Sequence, residues 1–294
     1  MTLDQLRVFL AVAAAEHVTR AAQALNMTQS AVSAAIAALE ARHDVRLFDR
    51  VGRNIALTDA GRRFVPHARA LVQQAEAAAD ALADLGSGVG GSLRVQASQT
   101  VSAYWLPRHL VRYRALYPQV ALEFQPGNTS TVVAAVAEGS ADLGVVEGAV
   151  SAPDLIVQPL AEDTMVVLVG CAHPWADGRR LAPADLAASA WVLRETGSGT
   201  RLAFDADLAR VGMGAGALSV LLELPSNEAC IAAVDGGEVA TVLSRRAAAP
   251  HLAQGLVAVA GFDLSPRVFS AIRHRKRHES RAMAALWALL LASS

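Results

Sequence analysis

The sequence lacks any long uninterrupted hydrophobic run. Although 53% of its 294 residues are hydrophobic and only 18% are charged, no stretch reaches the roughly 18 uncharged apolar residues of a membrane-spanning helix. The start of the chain also lacks a basic segment followed by an apolar one, since Asp4 and Glu16 interrupt it, so no secretory signal is predicted. We therefore expect a globular cytoplasmic protein with no membrane partner, long enough for two domains.

Cysteine and an excess of either charge are also lacking. Cys171 and Cys230 are the two cysteines, too few for a disulfide framework, which fits a reducing compartment. The 26 basic residues nearly balance the 27 acidic ones and leave a net charge of −1. Any binding to nucleic acid must therefore depend on local features.

Motifs for metals, nucleotides and catalysis are missing as well. The pairs at 171–173 and at His274 and His278 have no second pair at metal-ligand spacing. The glycines at 212–216 do not form a GxGxxG motif after a strand. The basic run 273–277 resembles a nucleic-acid patch, but a solvated loop is the favoured interpretation. Because no nucleophile with an adjacent base stands out either, we expect no cofactor, no metal and no enzymatic activity.

Residues 1–57 have the pattern of a small helical domain. A short predicted helix at 19–25 and a longer one at 29–42 are separated by a tight polar turn, and Thr28 suits the N-cap of the second helix. Two helices joined in this way are typical of a helix-turn-helix. The short apolar runs within 46–57 predict a two-stranded wing.

Residues 58–85 predict one long helix with a heptad seam of apolar residues. This seam consists of Val65, Ala68, Val72, Ala75, Ala79 and Leu82. Such a helix either packs on its own domain or pairs with the same helix of another chain. Its polar outer face and the absence of a second long helix favour pairing. The glycine-rich segment 86–91 then predicts a flexible linker.

Residues 92–294 alternate predicted strands and helices, which argues for parallel α/β sheets. The predicted strands are 93–97, 120–125, 142–146, 165–169, 218–224 and 239–243.

Five segments near the start of the chain together resemble the LysR-type transcriptional regulators. They are LRVFLAVA (6–13), TRAAQALNMTQSAVS (19–33), ALE (38–40), RLFDR (46–50) and ALTDAG (56–61). The resemblance implies an α+β protein in three parts. These are a winged helix-turn-helix DNA-binding domain (1–57), a linker (dimerisation) helix and hinge (58–91), and a two-lobed α/β effector-binding domain similar to periplasmic binding proteins (92–294). One lobe is expected at about 92–161 and 266–294, and the other at about 162–265.

The resemblance further implies a sequence-specific transcription regulator that binds double-stranded promoter DNA and a small-molecule effector and assembles as a dimer or tetramer. Two other classes of protein fit the sequence less well. An enzyme fused to a DNA-binding head needs a catalytic motif that the sequence lacks, and a periplasmic solute carrier does not explain the helix-turn-helix.

The predicted recognition helix carries no charge before Glu40, so its DNA contacts must come from polar side chains. We expect them from Thr28, Gln29, Ser30 and Ser33, because Gln can bond adenine bidentately and hydroxyls can bond bases or phosphates.

On the wing, arginine can enter a narrow minor groove, which predicts contacts from Arg50 and Arg53. Arg50 has the alternative of a structural pair with Asp49 or Glu40.

Two departures from the family pattern are visible. Ala34 stands where the family often has a basic or polar residue, and His43-Asp44 stand where it often has Leu-Gly.

Polar residues open three predicted helices after strands, at 97–107, 127–131 and 193–201. Helix starts leave backbone N–H groups unpaired and attract anions, and in a two-lobed fold these loops meet in the interlobe cleft. The family resemblance places effectors in the same cleft. We therefore expect a small anionic effector to contact Ser98, Thr100, Asn128, Thr129, Arg194, Ser198, Thr200 and Asn227.

Each of these residues also has an ordinary structural explanation. N-capping accounts for Ser98, Asn128 and Thr200, and a surface salt bridge accounts for Arg194 as well as an anion clamp does. Glu147, after a predicted strand, favours an amino or hydroxyl group, which conflicts with an anion and leaves the effector's identity open.

Overall fold

The first part of the chain folds into helices and one strand pair, and local capping sets where helices begin. In the computed structural model, which describes residues 1–51, 54–84, 86 and 88–292, Thr2 and Gln5 form a capping box at the start of the chain. Thr28 Oγ1 accepts a hydrogen bond from the Ala31 N–H at 3.2 Å. Both contacts satisfy N–H groups that a helix start leaves unpaired. The elements are α1 (Leu3–Ala15), α2 (Val18–Ala24), α3 (Gln29–His43), β1 (Phe48–Val51), β2 (Asn54–Leu57) and α4 (Asp59–Asp84).

These elements form one compact unit, Met1–Gly86, around a core centred on Phe9. The Phe9 ring lies 5.4 Å from the Phe48 ring and 5.2 Å from the Phe64 ring, between centroids. The core therefore joins α1 to β1 and to α4. Strands β1 and β2 pair in antiparallel register from Phe48 opposite Leu57, and the predicted winged helix-turn-helix is confirmed.

The apolar seam of α4 is divided between two environments. Ala68 and Val72 are buried in the core of their own unit, whereas Leu82 is 70% exposed. Leu71, outside the seam but on the same helix, is 43% exposed. Ala68 and Val72 thus follow the alternative interpretation of the seam, a helix packed on its own domain. Sequence spacing could not separate the two, because core packing and helix pairing require the same period.

The second unit, Ser87–Ser294, contains two five-stranded sheets with helices packed on them. Its elements in chain order are β3 (Ser92–Ser98), α5 (Gln99–Tyr104), α6 (Pro107–Leu116), β4 (Ala121–Gly127), α7 (Thr129–Glu138), β5 (Leu143–Glu147), β6 (Leu155–Asp163), β7 (Met165–Gly170), α8 (Pro183–Leu186), β8 (Ala190–Arg194), α9 (Gly199–Arg210), a 3₁₀ turn (Ala215–Ala217), β9 (Ser219–Leu224), α10 (Asn227–Val234), β10 (Val239–Ser244), α11 (Arg245–Ala253), β11 (Val257–Ala260), β12 (Arg267–His274) and α12 (Arg281–Leu291).

Each sheet defines one lobe of this unit. Lobe I has the strand order β4-β3-β5-β12-β6 and lobe II the order β11-β7-β10-β8-β9. The core of lobe I includes Leu93, Trp105 and Phe269, and that of lobe II includes Trp191 and Phe204. The carboxyl ends of β3, β4 and β8 lead to the polar loops identified in the sequence.

The expectation of parallel sheets is met only in part, because both sheets are mixed: β3-β4, β3-β5, β8-β9 and β8-β10 are parallel pairs. Strand β12 pairs antiparallel with β5 and β6, and β7 pairs antiparallel with β10 and β11. The strands β6, β8, β11 and β12 are not among the six predicted strands. Strands β4 and β9 are edge strands with exposed residues.

The chain passes between the lobes twice. It leaves lobe I between β6 and β7, at Thr164, and returns between β11 and β12. As a result, Asp163 at the end of β6 and Arg267 at the start of β12 lie side by side, where both crossings meet the site.

Candidate functional site

The start of α3 presents a polar surface. Thr28, Gln29, Ser30 and Ser33 are all exposed, and the Thr28 and Ser30 hydroxyls lie 3.0 Å apart within hydrogen-bond distance. Thr28 also caps the helix. Gln29 and Ser33 make no hydrogen bond within the part of the chain that the structure describes, so their side chains are available to a partner.

The wing is attached to α3 through Glu40. One of its carboxylate oxygens, Oε1, accepts hydrogen bonds from the Leu47 N–H at 2.7 Å and the Phe48 N–H at 3.1 Å. Among the described residues, Arg50 forms no ion pair with Glu40 or Asp49, so the alternative structural role is not seen.

Arg50 is exposed and lines a groove of about 580 Å³ together with Ser33. Arg53 lies outside the described residues.

The path from α3 into the wing contains a strained residue. Asp44 has φ 50° and ψ 42°, in the left-handed region, where glycine is the usual residue because it has no Cβ. The departure from the family's Leu-Gly pair therefore leaves the backbone turn in place, with aspartate in the glycine conformation.

The predicted effector residues meet between the two lobes. Asn227 Nδ2 of lobe II donates to Thr100 Oγ1 of lobe I at 3.1 Å, and Asn128 Nδ2 of lobe I donates to Glu195 Oε1 of lobe II at 3.3 Å. Thr129 Oγ1 donates to the Glu147 carbonyl oxygen at 3.1 Å. The predicted effector residues that are at most 3% exposed are Ser98, Thr100, Thr129, Arg194, Ser198, Thr200 and Asn227.

N-capping explains one of these hydroxyl or amide groups but not the others. Asn128 forms a capping box with Thr131 at the start of α7. Ser98 and Ser198 occupy N-cap positions without a side-chain capping bond. The buried Ser198 Oγ has no hydrogen-bond partner among the described residues. Such atoms are rare in folded proteins.

Arg194 is buried and bonded on every nitrogen of its guanidinium group. Nε and Nη2 donate to Glu195 at 2.8 and 3.1 Å, and Nη1 donates to Gln99 at 3.2 Å and to Asn227 at 3.0 Å. Arg194 thus forms a salt bridge with Glu195, as the structural alternative predicts. This salt bridge is buried in the cleft and not on the surface, and Arg194 also bonds residues of both lobes.

A second buried arginine, Arg267, was not identified from the sequence. Its Nε donates to Asp163 Oδ2 at 2.8 Å, and its Nη1 donates to Thr200 Oγ1 at 2.9 Å. Its Nη2 is buried with no partner in the described part of the chain. The sequence offered one signal, an arginine at the start of the apolar run 267–272, but nothing local linked it to Thr200.

Asp163 and Glu147 supply the negative charges beside Arg267. Asp163 Oδ1 also accepts from Ser244 Oγ at 2.7 Å and lies 3.4 Å from Arg246 Nε. Glu147 Oε2 accepts from Ser98 Oγ, and Glu147 Oε1 is 3.9 Å from Arg267 Nη1.

The two lobes are in direct contact at Gly199. A Cβ atom at this position would come within 2.5 Å of Thr129 Oγ1 and within 2.6 Å of Glu147 Cγ. Glycine is therefore required for this close approach, and the cleft is closed on its own side chains.

The cleft is also bridged at its rim by Tyr104 of lobe I and Glu228 of lobe II. The Tyr104 hydroxyl donates to Glu228 Oε1 at 2.5 Å. Burial and this hydrogen bond raise the pKa of the Tyr104 phenol above its usual value. Burial acts to raise the pKa of Glu228, but the hydrogen bonds that it accepts, that from Tyr104 first, outweigh burial and lower the pKa.

The structure also describes the segments for which the sequence predicts no binding role. No cluster of three metal-ligating side chains occurs within the described residues, and no described helix is long and apolar enough to cross a membrane. The basic run is partly structural, since Arg273 pairs with Glu279 and Arg277 donates to the carbonyl oxygens of Val136 and Ala137.

Family comparisons match nearly the whole chain. Residues 3–62 match the family described as bacterial regulatory helix-turn-helix protein, lysR family. Residues 86–294 match the family described as LysR substrate binding domain.

Three known proteins illustrate the likeness. The helix-turn-helix-type transcriptional regulator YeiE of Escherichia coli strain K12 is 36% identical over 290 residues, which cover 96% of this chain and 94% of YeiE. CbnR complexed with its target DNA has a TM-score of 0.69 at 21% identity and covers both chains fully. The regulatory domain of Synechocystis CcmR in complex with 2-PG has a TM-score of 0.62 at 26% identity, covering 69% of this chain and 96% of that one.

Proposed function

The chain belongs to the LysR family of transcriptional regulators, and we propose that it binds specific promoter DNA under the control of a small anionic effector held between lobes I and II. The observation that carries this proposal is the buried, unpartnered hydroxyl of Ser198 at the start of α9. It lies in a cleft where polar side chains from both lobes meet. A regulator needs such a place, in which a ligand can alter how two bodies contact each other.

The chemistry at the start of α9 favours an anion. The backbone N–H groups of Gly199, Thr200 and Arg201 have no acceptor among the described residues, as expected in a first helical turn. The positive end of the helix dipole adds to their attraction for negative charge. CcmR, which is solved with 2-PG, supports the proposal that the corresponding domain of this chain holds a small molecule.

For DNA, we propose that Gln29 bonds a base in the major groove while Thr28, Ser30 and Ser33 contact bases or phosphates. Arg50, together with Arg53, would contact the minor groove or its phosphates from the wing. The exposure of the first turns of α3 supports this role. The likeness to CbnR, which is solved with its target DNA, supports it too.

We propose self-association as a dimer or tetramer through the uncovered half of α4. Leu71 and Leu82 are exposed apolar side chains on this helix, and a second copy of the helix would cover them. Paired heads are the usual way in which helix-turn-helix proteins reach two half-sites on one face of DNA.

Calorimetry tests the effector site, with sulfur and nitrogen oxyanions and small carboxylates as the ligands. For an anion that alters DNA binding, Thr100→Ala should weaken binding about 10- to 100-fold, because a hydrogen bond to a charged group contributes about 1.5–3 kcal/mol. Ser219→Ala, on the exposed edge strand β9, is the matched control and should leave the affinity unchanged. Equal affinity in the wild type and Thr100→Ala would place the sensor elsewhere.

The same titrations separate a regulator from an enzyme fused to a DNA-binding head. We expect the ligand to be recovered chemically unchanged after saturation. Turnover of any ligand that alters DNA binding would contradict the proposal.

A further inference from the structure

Three polar atoms in the closed cleft lack a full set of partners. Arg267 Nη2 and Ser198 Oγ are buried with no hydrogen bond to the described residues. Glu147 is 1% exposed, and the one hydrogen bond that its carboxylate oxygens accept from the described protein comes from Ser98 to Oε2. Its other oxygen, Oε1, is 3.9 Å from Arg267 Nη1, beyond hydrogen-bond distance.

These three atoms belong to segments that touch one another. Arg267 Nη1 donates to Thr200 Oγ1 at 2.9 Å, two residues along the chain from Ser198. Gly199, between them, packs against the Glu147 side chain and carbonyl group. Arg267, Ser198 and Glu147 therefore lie on adjoining segments of the cleft. Since buried polar groups are nearly always paired in folded proteins, their grouping indicates a molecule that pairs with all three.

The three groups make different demands on that molecule. Arg267 only donates hydrogen bonds, so it requires an acceptor. An ionised Glu147 only accepts, so it requires a donor, and it repels any anion that has none. The hydroxyl of Ser198 can do either.

The neighbouring charges do not offset the repulsion between Glu147 and an anion. The positive charges of Arg267 and Arg246 face the negative charges of Asp163 and Glu147, which leaves no excess positive charge for a bare anion. Arg194 is already paired with Glu195.

We infer that the effector is a small oxyanion that carries its own hydrogen-bond donor, either a hydroxycarboxylate or a protonated oxyanion such as hydrogen phosphate. Its anionic oxygens bind Arg267 Nη2 and Ser198 Oγ, and its hydroxyl group donates to Glu147. This rests on the proposed function and narrows it to a class. It also resolves the conflict between the anion-attracting helix start and the carboxylate of Glu147, because one molecule satisfies both.

Two matched pairs of probes test the class by calorimetry on the full chain. Glycolate differs from acetate by one hydroxyl group. Hydrogen phosphate and sulfate are tetrahedral dianions of similar size, of which hydrogen phosphate alone has an O–H donor. We expect the donor-bearing member of at least one pair to bind about tenfold or more tightly than its partner, since a charge-assisted hydrogen bond is lost without the donor. Equal binding within both pairs, or no saturable binding of either donor-bearing probe at millimolar concentration, would overturn the inference.

Glu147→Gln identifies the group that selects the donor. The glutamine amide can donate to an anion, so the preference within the pair should fall to about threefold or less as sulfate or acetate gains affinity. Glu123→Gln removes the same charge from the exposed edge strand β4 and should keep the wild-type preference. An unchanged preference in Glu147→Gln would also overturn the inference.

Ser198→Ala separates ligand binding from folding. Because Ser198 Oγ bonds no described residue, its removal should leave the melting temperature equal or higher while binding of the preferred probe weakens about tenfold. Unchanged binding would show that Ser198 is not a ligand.

The failure of the inference and that of the proposed function give different results. If all four probes bind equally but Thr100→Ala weakens them, the cleft is the sensor and only the class is wrong. If Thr100→Ala and Glu147→Gln both leave binding unchanged, the site lies outside the cleft and both fail.

Discussion

The two binding regions treat their polar groups in opposite ways. On α3 and the wing, Gln29, Ser33 and Arg50 are exposed, and their side chains form no hydrogen bond or ion pair with a described residue. In the cleft, Arg194 and Asn227 are buried and bonded to residues of both lobes. A surface of the first kind can accept DNA without breaking bonds of its own. A ligand of the second region would bind unpartnered atoms that lie among side chains already bonded across the two lobes.

Under the proposed function, this difference assigns regulation to the cleft. The hydrogen bond from Asn227 to Thr100, next to the proposed ligand, joins lobe I to lobe II. Binding is therefore coupled to the contact between the lobes. The side chains proposed to contact DNA have no comparable set of bonds among the described residues. Under the proposed function, DNA affinity would therefore depend on how two copies are presented to a promoter.

The largest effect is expected for self-association through the exposed apolar side chains of α4. Leu82→Asp should leave the isolated unit folded, because this side chain is 70% exposed. It should weaken self-association by several kcal/mol, because an unpaired charge would be buried in each copy. Light scattering and sedimentation give the particle mass.

Ala77→Asp is the control for Leu82→Asp. It adds the same charge near the polar side of α4 and should leave the assembly intact. A wild type that is monomeric at micromolar concentration, or a Leu82→Asp variant of unchanged mass, would show that this half of α4 is not an interface.

Gly199→Ala should disrupt the closed cleft and leave the DNA-binding unit unaffected. The added methyl group meets Thr129 and Glu147, and overpacking of this kind costs about 1–3 kcal/mol, which corresponds to about 10- to 100-fold weaker effector binding. DNA affinity without effector should be unchanged.

Gly214→Ala provides the comparison for Gly199→Ala, since a Cβ there meets no atom within 4 Å. Calorimetry with the preferred anion and mobility shifts give the two readouts. Wild-type effector affinity in Gly199→Ala would mean that the closed contact is not the state that binds the ligand.

Gln29→Ala tests whether the exposed surface selects sequence. Loss of a bidentate contact to adenine should cost about 1–3 kcal/mol on the best site and little on unrelated DNA. Gln74→Ala makes the same change on α4 and should affect neither. Equal discrimination in all three proteins, measured by competition mobility shifts, would contradict the placement of the recognition helix.

The smallest effect concerns pH. Burial is the main cause that lowers the pKa of His109 in lobe I and of His173 in lobe II below the usual 6.5. The folded state therefore prefers neutral imidazole, so this contribution to stability is present above pH 6.5 and is lost as the pH falls below it. The melting temperature of the second unit should decrease over that range. His173→Asn should flatten the decrease, and an equal slope in the variant would contradict this origin.

The features of both candidate sites that depend on neighbouring residues could be predicted from the sequence. The helix-turn-helix followed from capping at Thr28 and from apolar spacing, which are local properties. The cleft loops followed from polar residues placed after strands, because parallel strands bring their carboxyl ends to one edge. Ser98 and Ser198 were predicted in this way, although their unfilled capping positions were not.

What the sequence could not provide depends on contacts between distant segments. Arg267 bonds Thr200, 67 positions earlier, only because β12 returns to lobe I and pairs with β5 and β6. The partial burial of the α4 seam likewise depends on the position of α1. Neither feature has a local pattern that distinguishes it from the alternatives.

The double crossing of the chain limits how the lobes can move. Two strands side by side, joined by the buried pair Asp163 and Arg267, resist twisting and sliding more strongly than a single tether would. The two strands therefore allow the lobes to bend about one axis more easily than to move in any other direction. Binding of any ligand that fits the cleft, whatever its identity, would then move the lobes along the same path. A regulator built in this way can change its effector by substitutions in the cleft while keeping its mechanical output.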